Sequence, residues 1–127
     1  MSQITHRESR FEFVSIAILL LALGTAFAHL YLAAQPDEDL RFWFMLNGIG
    51  YLGLLGAFFL PALKAYQGII RWALLGYTLL TIVLWFFLGS PSEGGPLDPF
   101  DVSVKVIEVV LCLLLIVHWR KTATQRA

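Results

Sequence analysis

Four long apolar runs alternate with short polar breaks along the chain: Phe13 to Ala34, Leu40 to Leu60, Ile69 to Leu88 and Val102 to Trp119. The second carries Arg41 near one end, the third Arg71 near its start, and the fourth is interrupted by the charges of Lys105 and Glu108. A helix needs about 20 mostly apolar residues to cross about 30 Å of hydrocarbon. Backbone groups in lipid must be satisfied within their own segment, which makes helix the expected form of each run. The pattern therefore predicts an all-α, four-helix transmembrane bundle, antiparallel up-down-up-down. It forms one domain over 1–127, with helices at about 12–34, 40–60, 67–88 and 101–120.

The breaks agree with this division. Pro36, within Gln35-Pro36-Asp37-Glu38-Asp39, stops the first helix, and Asp39 is placed to cap the second. Pro61 ends the second run and Gly68 precedes the third. The segment from Gly89 to Pro96 is rich in helix breakers, and Asp98 or Asp101 is placed to cap the fourth helix. No polar segment is long enough for a separate domain. Ala26-Phe27-Ala28 matches a signal-peptidase site, and cleavage there would leave three helices. Against cleavage, the apolar run continues to Ala34 and is long enough to span.

Charge gives the orientation. With a cytoplasmic N-terminus, seven basic residues (Arg7, Arg10, Lys64, Arg71, Arg120, Lys121, Arg126) fall on the cytoplasmic side and two (Arg41, Lys105) near the other. This positive-inside bias predicts a plasma-membrane protein with both termini cytoplasmic. The outer loops carry acids instead: Asp37, Glu38, Asp39, Glu93, Asp98 and Asp101. Trp43 and Trp85 fall near the outer interface, and Trp72 and Trp119 near the inner one, where amphipathic rings prefer to lie.

Composition narrows the class. Hydrophobic residues make up 58% of the chain and charged residues 14%, whereas soluble domains carry about 25% charged residues. A formal net charge of zero argues against nucleic acid as a partner. The expected partners are the lipid bilayer and either a second copy of the chain or another membrane protein. The lone Cys112 excludes an intrachain disulfide and a cysteine zinc motif, and is expected to pack as a small hydrophobe.

Gly48-x-Gly50-x-x-Gly53 matches a dinucleotide-binding pattern by letter, but no strand precedes it and it lies inside an apolar helix. Gly48, Gly50, Gly53 and Gly56, with the Gly24 and Ala28 pair in the first helix, are expected to admit a close neighbouring helix. Sequence leaves open whether that helix belongs to the same chain.

Polar residues inside the runs carry the chemistry, because they are costly there. Ser15, Ala22, Thr25 and His29 share a helical face, and Asn47 and Tyr51 are four apart. Thr78, Thr81 and Trp85 form a stripe with Tyr77 beside it, and Asp101, Lys105, Glu108 and Cys112 form another. By helical rise, His29, Asn47, Thr81, Lys105 and Glu108 each lie roughly 6 to 10 Å below the outer end of their run, with Tyr51 somewhat deeper. The candidate binding residues are therefore His29, Asn47, Tyr51, Thr81, Lys105 and Glu108, in one layer of the outer half.

Three roles for this layer stay open. As a clasp, Lys105 pairs with Glu108 or Asp101, and the other polar groups bond across helices. As a proton-responsive or ligand-binding pocket, Glu108 is the ionisable centre, Lys105 its counter-charge, and His29 a group that titrates near neutrality. As a metal or haem site, His29 and Glu108 supply two ligands but lack a third. His29 and His118 stand at opposite ends of the bundle and cannot clamp one haem. His118, beside Trp119 and Arg120, is expected at the inner interface, and His6 falls in the N-terminal tail. No metal ligand set and no cofactor is predicted. Ser15 is far from His29, and Ser90 and Ser92 are loop residues, so no nucleophile constellation points to an enzyme.

The ordered strings His29-Leu30-Tyr31-Leu32, Asn47 to Gly53, Gly76-Tyr77-Thr78, Ile82 to Trp85 and Lys105 to Val110 resemble a family of small four-helix prokaryotic membrane proteins of unknown function. The resemblance covers nearly the whole chain. It implies a four-helix membrane domain and no activity or catalytic residue. Those proteins carry an Asp-Lys pair at the start of the fourth helix. This chain reads Val104-Lys105, with Asp101 one turn earlier. The expected function is a structural or accessory membrane protein. The alternatives are a small proton- or solute-coupled carrier or sensor, and a metal- or haem-binding subunit.

Overall fold

The computed structural model describes the backbone of residues 2–126 and the side chains of 12–123 apart from Ser90. The side chains of His6, Arg7, Arg10, Ser90 and Arg126, which entered the reading of the sequence, lie outside the described residues.

Four long helices make up the chain: α1 (Ser2–Ala33), α2 (Arg41–Phe59), α3 (Gln67–Leu88) and α4 (Pro99–Arg126). There is no strand among the described residues. A 3-10 helix (Pro61–Tyr66) leads into α3, and a single helical turn (Ser90–Glu93) follows it. α2 and α3 lie within one residue of the predicted bounds at each end. α1 starts earlier than predicted, because Ser2 to Glu12 holds no proline or glycine and an existing helix extends at little cost. α4 runs on past its predicted end for the same reason, and it begins earlier at Pro99, whose fixed φ suits the first helical position.

The helix starts correct one detail. Asp39 does not cap α2; its N-cap is Leu40, whose N–H is taken by Glu38 Oε1 at 3.0 Å. At α4, Asp98 Oδ1 accepts the Phe100 N–H at 2.8 Å, so Asp98 is the cap and Asp101 stands inside the first turn. Pro61 acts as predicted: Leu60 before it is extended (φ −70°, ψ 120°), the conformation that proline imposes on its predecessor.

The helices form a ring in which α1 and α3 each pack against both α2 and α4. One apolar core joins all four: Ile18 and Ala22, Tyr51 and Leu55, Leu74, and Leu111 and Leu115. The outer surface is also apolar. Phe13, Ile69 and Phe87 are each at least 70% exposed, and large apolar side chains line the outward face of every helix. Meanwhile Thr25, His29, Thr78, Thr81, Lys105 and Glu108 are buried. Soluble monomers rarely expose apolar surface on this scale. Three stretches, Glu12–Ala33, Arg41–Phe59 and Pro61–Glu93, are long and apolar enough to cross a membrane. α4 is not among them.

The glycines expected at helix contacts separate into two kinds. A Cβ on Gly48 would stand 2.7 Å from Leu30 Cγ and 2.9 Å from the Ala26 carbonyl oxygen, so α1 crosses α2 against bare backbone there. A Cβ on Gly50 would stand 2.1 Å from the Tyr77 hydroxyl oxygen. That hydroxyl donates to the Asn47 carbonyl at 2.9 Å, tying α3 to α2. Gly24, Gly53 and Gly56 meet nothing within 4 Å in the chain, and Ala28 is half-buried. Alanine at Gly48 or Gly50 is therefore expected to destabilise the fold by about 1–3 kcal/mol through overpacking. Alanine at Gly53 or Gly56 is expected to be neutral or slightly stabilising. Thermal unfolding of the four variants in one detergent checks this; equal effects at all four positions would refute the assigned crossing.

Candidate functional site

Glu108 sits on the inward face of α4 and is fully buried. A buried carboxylate is tolerable only when paired and hydrogen-bonded. Its Oε1 forms an ion pair with Lys105, one turn earlier on the same helix. Its Oε2 accepts from Thr25 Oγ1 of α1 and from the Tyr51 hydroxyl of α2, each at 3.2 Å. The carboxylate is thus held by donors from three helices.

Thr25 also sets the histidine. His29 Nδ1 lies 2.8 Å from the Thr25 carbonyl oxygen, which can only accept. Thr25 Oγ1, 3.3 Å from the same nitrogen, has given its proton to Glu108. Both neighbours require a proton on Nδ1, so the neutral ring carries its lone pair on Nε2. The ring leans on Phe44 and Tyr51, with centroids 6.0 and 6.2 Å away.

α3 joins through a separate chain of bonds. Thr81 Oγ1 donates to the Tyr77 carbonyl at 2.9 Å, the usual back-bond of a helical threonine. With its proton committed, it can only accept, and Asn47 Nδ2 donates to it at 2.8 Å. This fixes the orientation of the amide. Asn47 Oδ1 then faces away from Thr81, buried and with no donor from the chain. At the outer rim, Trp85 Nε1 donates to Asp101 Oδ2 over a long 3.4 Å.

The predicted layer therefore has two parts. Tyr51, Lys105 and Glu108, with Thr25, close on one another. His29, Asn47, Thr81 and again Lys105 line a cavity of about 440 Å³. All four helices contribute to its wall, including Leu32 of α1, Trp43 and Phe44 of α2, Leu80, Leu84 and Leu88 of α3, and Asp101 and Val104 of α4. Trp43, Leu80, Leu84 and Leu88 are exposed, so the cavity communicates with the surroundings between α2 and α3. Below it, Tyr51, Leu55, Leu74, Leu111 and Leu115 fill the bundle axis.

A second polar contact lies at the other end. Arg71 and His118 are buried, and Arg71 donates from Nη1 to His118 Nδ1 at 3.2 Å. Phe58 packs on the imidazole, with centroids 5.1 Å apart. His118 was expected at the interface beside Trp119 and Arg120. It turns inward instead, because the arginine and the ring that receive it come from α3 and α2. Thr25 shares the helical face of His29, as its four-residue spacing predicts, and joins the site beyond the six candidate residues that the sequence singles out. Cys112 is buried beside Leu111 and Leu115, as a packing residue would be.

Among the described residues, no group of three His, Cys, Asp or Glu side chains is arranged to hold a metal ion. Comparison with family models, with curated proteins and with solved structures gives no match for this chain.

The clasp makes a thermodynamic prediction. Glu108→Leu leaves the Lys105 charge buried without its partner, and is expected to cost about 3–5 kcal/mol. Lys105→Met together with Glu108→Leu is expected to recover most of that loss, because a buried ion pair is often replaceable by apolar groups. A double-mutant cycle by chemical unfolding in detergent checks the coupling. Additive losses would show that the pair does not act as a unit.

Proposed function

We propose that this protein is a small-molecule binding protein of the plasma membrane, acting as a sensor or accessory subunit. The Glu108 cluster holds the bundle together, and the adjoining cavity receives the ligand. In this proposal all four helices cross the bilayer, antiparallel, with both termini cytoplasmic and the cavity in the outer half. α4, which carries Lys105 and Glu108, crosses because the two pair with each other and Glu108 also accepts from α1 and α2. α1 stays attached, because Ile18, Ala22 and Ala26 are wholly buried in the bundle and cleavage after Ala28 would strip them out.

The observation that carries the proposal is the cavity itself: four helices wall it, mostly with apolar side chains, and each contributes a polar group, His29, Asn47, Thr81 and Lys105. Mostly apolar concavities with a small number of placed polar groups are the usual form of small-molecule sites. The apolar axis below it favours a site served from one side over an open transport path. The resemblance to a membrane family of unknown function adds the same architecture and no activity.

Two experiments test the proposal. Native mass spectrometry of the protein in nanodiscs is expected to show a retained small molecule. Val104→Phe, which fills the cavity from a buried wall position, is expected to lose that mass while keeping its fold. A bare chain in both samples, together with no compound in a broad library raising the unfolding temperature, would leave the clasp as the whole role of the layer. For orientation, single cysteines at Ser92 and Ala123 in a Cys112→Ala background are compared in intact cells. An impermeant maleimide is expected to label position 92 readily and position 123 only after lysis; the opposite pattern overturns the assigned sides.

A further inference from the structure

We propose that the cavity selects a compact lipophilic alcohol: an uncharged, mostly apolar molecule that presents a hydroxyl. This rests on the binding function proposed above and adds the charge and hydrogen-bonding sense of the ligand to it.

The charged side chains of the wall are already engaged. Lys105 pairs with Glu108, and Asp101 accepts from Trp85 Nε1. A charged ligand would have to compete with one of these contacts. It would also give up its hydration, a large cost for an ion without a partner of its own. The way in favours the same class of ligand. Trp43, Leu80, Leu84 and Leu88 are exposed where the cavity opens between α2 and α3, so a ligand enters past hydrocarbon. A volume of about 440 Å³ suits a compact molecule rather than a diacyl lipid.

The polar groups that still have bonds to make are mainly acceptors. On α2, the Thr81 back-bond turns Asn47 so that its Oδ1 is buried and takes no donor from the chain. A buried acceptor without a donor is costly, so this atom rewards a ligand that brings it a proton. On α1, the Thr25 carbonyl holds the His29 proton on Nδ1, which leaves Nε2 of the neutral ring as a second acceptor. Both hydrogen bonds of the ring among the described residues are made through Nδ1. Lys105 complements these atoms, because an ammonium has more N–H groups than its bond to Glu108 Oε1 uses. A hydroxyl answers both kinds of group. It donates to Asn47 Oδ1 or His29 Nε2, and its oxygen accepts from Lys105. An ether of the same shape accepts but has no proton to give.

The test uses the full chain in nanodiscs of zwitterionic phosphatidylcholine, titrated calorimetrically, with partitioning into empty discs subtracted. Phenylbutanol is compared with its methyl ether, and with phenylbutylammonium and phenylpentanoate. The alcohol is expected to bind about tenfold tighter than the ether, the usual scale for a buried acceptor that gains a donor. Both ions are expected to bind more weakly than the alcohol. Asn47→Leu and His29→Phe each remove one acceptor. Each is judged by the ratio of alcohol to ether binding, because a change of stability or cavity shape acts on both probes alike. The advantage of the alcohol is expected to vanish in one of the two variants, which identifies the acceptor. Equal binding of alcohol and ether to the unmodified chain overturns the hydroxyl assignment. So does tighter binding of either ion, or an advantage that survives in both variants. Each of these results keeps the cavity as a binding site. Failure of all four probes to bind the folded protein overturns the binding function as well.

Discussion

Everything in this bundle is arranged around one buried carboxylate. Glu108 has no contact with solvent, and an uncompensated charge in such a place costs several kcal/mol. It is held by Lys105 from its own helix, Thr25 from α1 and Tyr51 from α2. These bonds are directional, whereas apolar contact is not. In the proposed bilayer setting there is also no hydrophobic drive between helices to set relative height. The carboxylate therefore fixes the register of α1 and α2 against α4. α3 is brought to the same level by a second set, in which Tyr77 bonds the Asn47 carbonyl and Asn47 bonds Thr81. The two sets meet on α2, where Asn47 and Tyr51 are one turn apart.

The bundle is consequently different along its length. One half holds the carboxylate, the amide, the imidazole and the cavity. The middle is packed with Leu55, Leu74, Leu111 and Leu115. The other end holds the Arg71 and His118 pair against Phe58. Small size makes this division economical. Four helices of this length have room for one polar layer beside one apolar plug, and Tyr51 serves both: its ring lies in the core while its hydroxyl reaches Glu108.

Much of this was legible from residue spacing. Helix positions followed from the apolar runs and from Pro36, Pro61 and the Gly89 to Pro96 segment, because these signals are local. The shared depth of His29, Asn47, Thr81, Lys105 and Glu108 followed from helical rise, which is nearly constant. What spacing cannot supply is the facing of one helix to another. Gly50 and Gly53 look alike in sequence, yet only Gly50 meets Tyr77. The local surroundings of His118, with Trp119 and Arg120 beside it, suggested an interface. Its burial depends on Arg71, 47 residues away. Threonine is inconspicuous in an apolar helix, so Thr25 does not stand out as a site residue despite its four-residue spacing to His29. The cavity was out of reach altogether, since it is a deficit of packing between helices and no single residue encodes it.

The dependence of α4 on its neighbours also bears on how the protein is made. If α4 crosses a bilayer as proposed, Lys105 and Glu108 add to the cost of its insertion, because ionised side chains are expensive inside a membrane helix. The groups that relieve this cost, Thr25 and Tyr51, lie earlier in the chain and leave the ribosome first. In a bilayer, α1 and α2 would already be waiting when α4 emerges, and its carboxylate could pass from the insertion machinery directly to its final donors. Chain order then becomes part of the design. The least self-sufficient helix comes last, and a circular permutant that placed it first would ask the cell to hold a charged segment in the membrane with nothing yet there to receive it.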